Sequence, residues 1–90
     1  MLFGTKTATE KRADFRAKLA SGKLLQMPGA HEPIIARIVE EQGFDGIYIS
    51  GGALSASMAM PDIGLTTLTE VTQRGRQIAR VTDLPALIDL

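Results

Sequence analysis

The fold is decided by the stretch Ile47-Tyr48-Ile49-Ser50-Gly51-Gly52, in which a short apolar run leads directly into a serine and two glycines. Continuous rather than alternating apolar residues are typical of a strand buried on both faces, as in a parallel sheet covered by helices. Small residues after such a strand let backbone N–H groups approach an anion, and the serine hydroxyl adds a donor. The stretch therefore predicts either a plain tight turn or a loop that binds a carboxylate or phosphate.

Two further apolar runs and three helical patterns flank this stretch. The runs are residues 24–27 and 86–88, and the helices are predicted at about 10–20, 32–42 and 68–81. The resulting order is α-β-α-β-loop-α-β, and strands that alternate with helices indicate parallel crossovers. We therefore expect an α/β unit with about three parallel strands and a preceding N-terminal helix.

The second and third helices each have an apolar face that predicts packing against the sheet. In the second helix this face consists of Ile34, Ile35, Ile38 and Val39. In the third helix it consists of Leu68, Val71, Ile78 and Val81. Thr67 and Glu70 have the spacing of a capping box, which predicts the start of the third helix.

Composition excludes several classes of function. The 90 residues have ten basic and ten acidic side chains, so the net charge of zero argues against an electrostatic nucleic-acid-binding role. The absence of cysteine excludes a disulfide framework, a thiolate metal site and a cysteine nucleophile within this sequence. No apolar run is long enough for a membrane span, and the first 16 residues lack a secretory pattern. A cytoplasmic location is the expectation.

Candidate functional side chains follow two of the predicted strands. Residues 51–66 form a long predicted loop after the second strand, at the sheet edge where α/β proteins build their active sites. Asp62 in that loop either shapes a turn or faces a ligand. Asp89, at the end of the third strand, either caps a loop or holds a hard cation such as Mg²⁺. Tyr48 packs in the core or reaches the ligand loop, and we expect a structural role for His31.

These segments together resemble the methylisocitrate lyases, which belong to the isocitrate lyase and phosphoenolpyruvate mutase superfamily. The resemblance is carried by five segments in the same order, residues 27–30, 43–44, 48–58, 60–67 and 84–89. It implies a (β/α)8 TIM barrel, of which this chain would be the N-terminal portion. It also implies Mg²⁺-assisted retro-aldol cleavage of 2-methylisocitrate, a tricarboxylate, to pyruvate and succinate.

The resemblance also implies roles for individual residues. The carboxylate of the pyruvate half would be bound by Tyr48, Ser50, Gly51 and Gly52. Asp62 would lie in the active-site loop near the metal, and Asp89 would be a Mg²⁺ ligand, directly or through water. For the complete enzyme, the resemblance implies a homo-oligomer, a tetramer, without a nucleic-acid or membrane partner.

The sequence departs from the family pattern after its last strand. In the family, the strand-end aspartate is followed by a small residue, a second acidic residue and, later, a loop with the catalytic cysteine. Here Leu90 follows Asp89, and no cysteine is present. Residues 1–90 are therefore expected to form a partial barrel that ends after the third strand, poorly stable, prone to association and inactive as a lyase.

Two alternatives to a methylisocitrate lyase stay open. The first is another member of the superfamily, namely isocitrate lyase, phosphoenolpyruvate mutase, carboxyphosphonoenolpyruvate mutase or oxaloacetate hydrolase. The second is a non-catalytic interaction module that keeps the α/β unit for packing against a partner chain.

Overall fold

The structure, a computed structural model, describes residues 3–89. Its elements are α1 (Ala8–Ala20), α2 (Pro33–Glu41), β1 (Ile47–Ile49), α3 (Gly51–Ser57), α4 (Leu68–Ala79) and β2 (Ala86–Ile88). Leu90 lies outside the described residues. Within residues 3–89, every helix is too short or too polar to cross a bilayer.

The centre of the fold is a parallel sheet in which β1 has neighbours on both sides. On one side β1 pairs with β2, with Tyr48 opposite Leu87. On the other side a single parallel bridge joins Tyr48 to Gly29. There the Tyr48 N–H donates to the Pro28 carbonyl at 2.9 Å, and the Ala30 N–H donates to the Tyr48 carbonyl at 2.9 Å. The prediction of an α/β unit with parallel crossovers is confirmed.

The predicted first strand at residues 24–27 was wrong in position. The pairing with β1 lies at Pro28–Ala30, and the Leu24 side chain is 88% exposed. Before that point, two hydrogen bonds join Gln26 to Asp45: the Gln26 N–H donates to the Asp45 carboxylate at 2.9 Å, and the Asp45 N–H donates to the Gln26 carbonyl at 3.1 Å. Because Pro28 has no N–H, it contributes only a carbonyl, and the contact stays a bridge rather than a ladder.

Helices α2 and α4 pack against each other and against the sheet. The buried core consists of Ala30, Ala36, Val39, Ile47, Ile49, Leu54, Val71 and Ile78. Three positions predicted for this core are instead exposed, Ile34 by 61%, Ile38 by 49% and Leu68 by 68%. The buried stripe of α2 runs through Ala36 and Val39, because the small alanine lets the helix approach its neighbours.

The predicted loop at residues 51–66 was wrong for its first half, which is helix α3. Ser50 caps the helix by accepting from the Ala53 N–H at 3.2 Å. The helix ends in a Schellman motif, in which the Met60 N–H donates to the Ser55 carbonyl at 2.9 Å. The left-handed position of this motif is occupied by Ala59, with a φ of 57°, where glycine is the usual residue.

Helix α1 lies outside the core and has no buried residue. It starts two residues earlier than predicted, at a Thr7–Glu10 capping box. The segment before it is held by Asp83, whose carboxylate accepts from the Thr5 and Lys6 N–H groups at 2.6 and 2.8 Å. The hydrogen bond from the Lys6 N–H is the main cause that lowers the pKa of Asp83.

Candidate functional site

The two strands that are followed by candidate site residues end at the same edge of the sheet. Ser50 follows β1, and Asp89 follows β2. The two strands are parallel and in register, and the Asp89 N–H continues the ladder to the Ile49 carbonyl at 3.3 Å. Their carboxyl ends therefore meet where α/β proteins bind ligands.

The Asp89 carboxylate contacts two of the residues predicted to bind substrate. One of its oxygens, Oδ1, accepts a hydrogen bond from the Gly51 N–H. The Tyr48 hydroxyl donates to the same carboxylate, and this bond is the main cause that raises the pKa of Tyr48, with burial and the Asp89 charge adding to it. A hydrogen bond from Ser50 acts in the opposite direction on that pKa. Tyr48, Ser50, Gly51 and Asp89 thus form one cluster.

Asp62 approaches this cluster through Gly52. A methyl group at Gly52 would lie 3.2 Å from Asp62 Oδ2 and 3.7 Å from Ser50 Oγ. A methyl group at this position would therefore push the Asp62 carboxylate by a few tenths of an ångström, whereas its distance to Ser50 is an ordinary contact. Glycine at position 52 is explained by this close approach rather than by its backbone angles, since its φ is not in the left-handed range.

A cavity of about 270 Å³ opens between α3, the Asp62 loop and the end of β2. Gly51, Asp62 and Asp89 line it, and all three were candidates from the sequence. Sequence reasoning missed Ser55, Thr66 and Thr67, which also line it. Ser55 is 4% exposed and lies one helical turn after Gly51, so recognising α3 as a helix would have found it.

The side chains of this cavity fit a hard divalent cation. The lining offers two carboxylates and three hydroxyls, and oxygen atoms are the ligands that Mg²⁺ prefers. Within residues 3–89, no three His, Cys, Asp or Glu side chains gather in one place as a complete protein cage. Mg²⁺ does not need such a cage, because it commonly takes one or two carboxylates and completes its shell with water and substrate oxygens.

The remaining candidates lie apart from this cavity. His31 is outside its lining, and its backbone carbonyl accepts from Arg74 Nη2 at 3.2 Å, so the role of its side chain stays a prediction. A larger cavity of about 380 Å³ lies between α1, the end of α4 and the start of β2. Its lining among residues 3–89 has five Lys or Arg residues and no carboxylate, so it does not fit a cation.

Comparison with known sequences gives a consistent result. The family model described as phosphoenolpyruvate phosphomutase matches residues 15–90. A protein of Corynebacterium glutamicum named probable 2-methylisocitrate lyase 2 is 56% identical over 98% of this chain, which spans 29% of that protein. The 2-methylisocitrate lyase of Bacillus subtilis is 41% identical over 84% of this chain, which spans 25% of it.

Solved structures with the same fold come from the same group of enzymes. A phosphonopyruvate hydrolase in complex with oxalate and Mg²⁺ superposes with a TM-score of 0.85 and 38% identity, over 89% of this chain and 28% of the hydrolase. A phosphoenolpyruvate phosphomutase from Streptomyces platensis subsp. rosaceus superposes with a TM-score of 0.81 and 36% identity, over 86% and 27%.

Proposed function

The chain belongs to the phosphoenolpyruvate phosphomutase family, and on that premise we propose that it is part of a Mg²⁺-dependent carbon–carbon lyase that cleaves 2-methylisocitrate to pyruvate and succinate. The observation that carries the proposal is the contact of Asp89 with Gly51 and Tyr48 beside Asp62. Gly51 of the proposed carboxylate-binding loop lines the same cavity as Asp62 and Asp89, the two proposed metal-side carboxylates.

The proposed donors to the substrate carboxylate lie in β1 and in the segment that follows it. The Ser50 hydroxyl, the backbone N–H groups of Gly51 and Gly52 and the Tyr48 hydroxyl provide donors of the kind that carboxylates accept. Because Ser50 also caps α3, its side chain is fixed before the ligand arrives, so little conformational entropy is lost on binding.

The cation would be held by Asp62 and Asp89, directly or through water. A bound Mg²⁺ would supply a Lewis acid for the oxygens of the pyruvate half, where it would stabilise negative charge on the hydroxyl oxygen that becomes the ketone of pyruvate. Asp89 is oriented for this role by the Gly51 N–H, and Asp62 is kept within reach by the absence of a side chain at position 52.

The chain spans 29% and 25% of the two lyases compared above, and the proposed reaction is assigned to a complete barrel of this family. Three parallel segments are a fraction of the eight strands and about 250 residues of a closed (β/α)8 barrel. The group that protonates the leaving enolate is therefore expected in the remainder of that barrel, as is the contact surface of a homo-oligomer.

Turnover tests the proposal directly. Residues 1–90 are joined to the downstream part of the Corynebacterium glutamicum relative at the matching position, and pyruvate released from 2-methylisocitrate is followed with Mg²⁺ and with a chelator. The expected result is Mg²⁺-dependent release of pyruvate and succinate. A chimera that unfolds cooperatively yet releases no pyruvate would contradict the proposal.

A second candidate activity is supported by the structure that holds oxalate and Mg²⁺. Phosphonopyruvate hydrolase of Variovorax is 38% identical over 89% of this chain. A solved phosphonopyruvate hydrolase holds oxalate and Mg²⁺, so we propose the same carboxylate loop for its substrate class. Release of inorganic phosphate from phosphonopyruvate by the same chimera, without turnover of 2-methylisocitrate, would favour this second activity.

A further inference from the structure

Two carboxylates compete for the Gly51 N–H. In the structure it donates to Asp89 Oδ1. In the proposed function it donates to the carboxylate of the substrate, and one N–H cannot make a full hydrogen bond to both. The Tyr48 hydroxyl is subject to the same competition, since it also donates to Asp89 and is proposed to bind the substrate carboxylate.

Charge makes this competition stronger. Gly51 and Asp89 line the same cavity, so a substrate carboxylate bound to the Gly51 N–H would lie beside the Asp89 carboxylate. Two like charges within a few ångströms repel each other, and each loses affinity for the shared donor.

We infer that Asp89 blocks the carboxylate loop by holding the Gly51 N–H, and that a divalent cation opens the loop by drawing the Asp89 side chain to itself. This inference rests on the proposed function. It adds that Asp89 has two alternative partners, so that cation binding and carboxylate binding help each other even before any contact between cation and substrate. By linkage, a bound carboxylate raises the affinity for the cation by the same factor.

The inference distinguishes two roles of Asp89, that of a residue that only binds the cation and that of a residue that also blocks the loop. If Asp89 only held the cation, removing its side chain would leave the affinity for a carboxylate in the absence of cation unchanged, apart from an effect of charge. If Asp89 also blocks the loop, removing the side chain releases the Gly51 N–H and raises that affinity. The amide of asparagine has no charge but retains an oxygen that accepts from Gly51.

The experiment uses oxalate as the probe, in EDTA, with binding measured by calorimetry for the wild type, Asp89→Asn and Asp89→Ala. Asp45→Ala is the control, because it removes one negative charge from the opposite edge of the sheet, where Asp45 accepts from the Gln26 N–H. The 90-residue chain and the chimera are both measured, so that poor folding of one does not decide the outcome.

The expected order of oxalate affinity in EDTA is Asp89→Ala first, then Asp89→Asn, then the wild type. The span between Asp89→Ala and the wild type should be about 5- to 150-fold, the usual range for coupled sites. Equal affinity of the two Asp89 variants would show that only charge matters and would overturn the inference.

A second measurement follows the change of hydrogen-bond acceptor at the Gly51 N–H. In ¹H–¹⁵N spectra, Mg²⁺ without any carboxylate should shift the Gly51 amide of the wild type towards its position in Asp89→Ala. A Gly51 amide that responds neither to Mg²⁺ nor to Asp89→Ala would overturn the inference. Failure of the wild type to bind oxalate even with Mg²⁺ would instead contradict the proposed function, so the two failures are distinguishable.

Discussion

At the scale of single residues, Ser50 couples local structure to the candidate site. Its hydroxyl oxygen accepts from the Ala53 N–H and so begins α3, and the same side chain contacts the Tyr48 hydroxyl. A residue with both roles should show two separable effects when it is changed, one on stability and one on ligand binding.

Ser50→Ala is expected to lower the free energy of unfolding by about 1 kcal/mol, as the loss of a helix cap does. It should also weaken oxalate binding with Mg²⁺ by about tenfold or more, since a hydrogen bond to a charged group is lost. Calorimetry and urea unfolding of the chimera measure the two effects. The matched control is Ser57→Ala, at the other end of α3, where the hydroxyl donates to the Leu54 carbonyl at 2.7 Å. Equal oxalate affinity in all three proteins would contradict the assignment of Ser50.

Ala59 gives a second prediction at this scale. Its φ of 57° is unfavourable for a residue with a Cβ atom. Ala59→Gly is therefore expected to raise the free energy of unfolding by about 0.5–1 kcal/mol. Urea unfolding measures the change, with Ala56→Gly in the helix interior as the control that should destabilise. A lower unfolding midpoint for Ala59→Gly than for the wild type would rule out strain at this position.

At the scale of elements, the two capping boxes have the same geometry but begin helices with different surroundings. In α4, the Glu70 N–H donates to Thr67 Oγ1 at 3.1 Å, and in α1 the Glu10 N–H donates to Thr7 Oγ1 at 3.2 Å. Helix α4 buries Val71, Gly75 and Ile78, while α1 buries no residue. The cooperative core therefore includes α4 and leaves α1 at its margin.

Thr67→Ala and Thr7→Ala should accordingly differ. Thr67→Ala is expected to lower the global free energy of unfolding by about 1 kcal/mol, whereas Thr7→Ala should mainly fray α1. Hydrogen exchange of the α4 amides, measured beside urea unfolding, separates the two effects. An equal loss of global stability in both variants would mean that α1 is part of the cooperative unit.

Elements were predictable from the sequence where the signal was local. The Thr67–Glu70 box and the apolar run at Ile47–Ile49 act through neighbours in the chain, and both predictions were confirmed. The start of the pairing with β1 depends instead on Pro28 and on a distant strand, so residues 24–27 were misassigned. Helix α3 was missed because two glycines at its start and its small residues have weak helical periodicity.

The candidate site was predictable for a different reason. Tyr48, Ser50, Gly51, Gly52, Asp62 and Asp89 came from strand ends and from the family resemblance, and the structure brings all six together. Ser55 could not be predicted, because its burial depends on α3 being a helix. Their functional roles stay predictions until ligand binding is measured.

At the scale of the whole molecule, large apolar side chains remain exposed on several faces. The most exposed are Leu24, Ile63, Leu68, Ile34, Leu19 and Leu65, from 88% down to 55%. Patches of this kind normally pack against another surface. The rest of a barrel or a second copy of the chain would cover them.

The 90-residue chain by itself is therefore expected to self-associate at micromolar concentration. Sedimentation velocity over a range of concentrations measures this, and Ile34→Lys with Ile38→Lys on α2 should reduce association, since both side chains are already exposed. Arg12→Lys on the exposed part of α1 is the control. A monomer at all concentrations would show that these exposed apolar side chains do not cause association.

The central claim is that the cavity beside Asp62 and Asp89 holds the divalent cation. Paramagnetic Mn²⁺, added in trace amounts with oxalate to ¹⁵N-labelled protein, broadens the amides that lie closest to it. The account predicts that broadening centres on Gly51, Gly52, Asp62 and Asp89. Broadening centred on the separate cavity that is lined by Lys6, Asp14, Lys18, Glu40 and Asp83, or spread evenly over the surface, would contradict it.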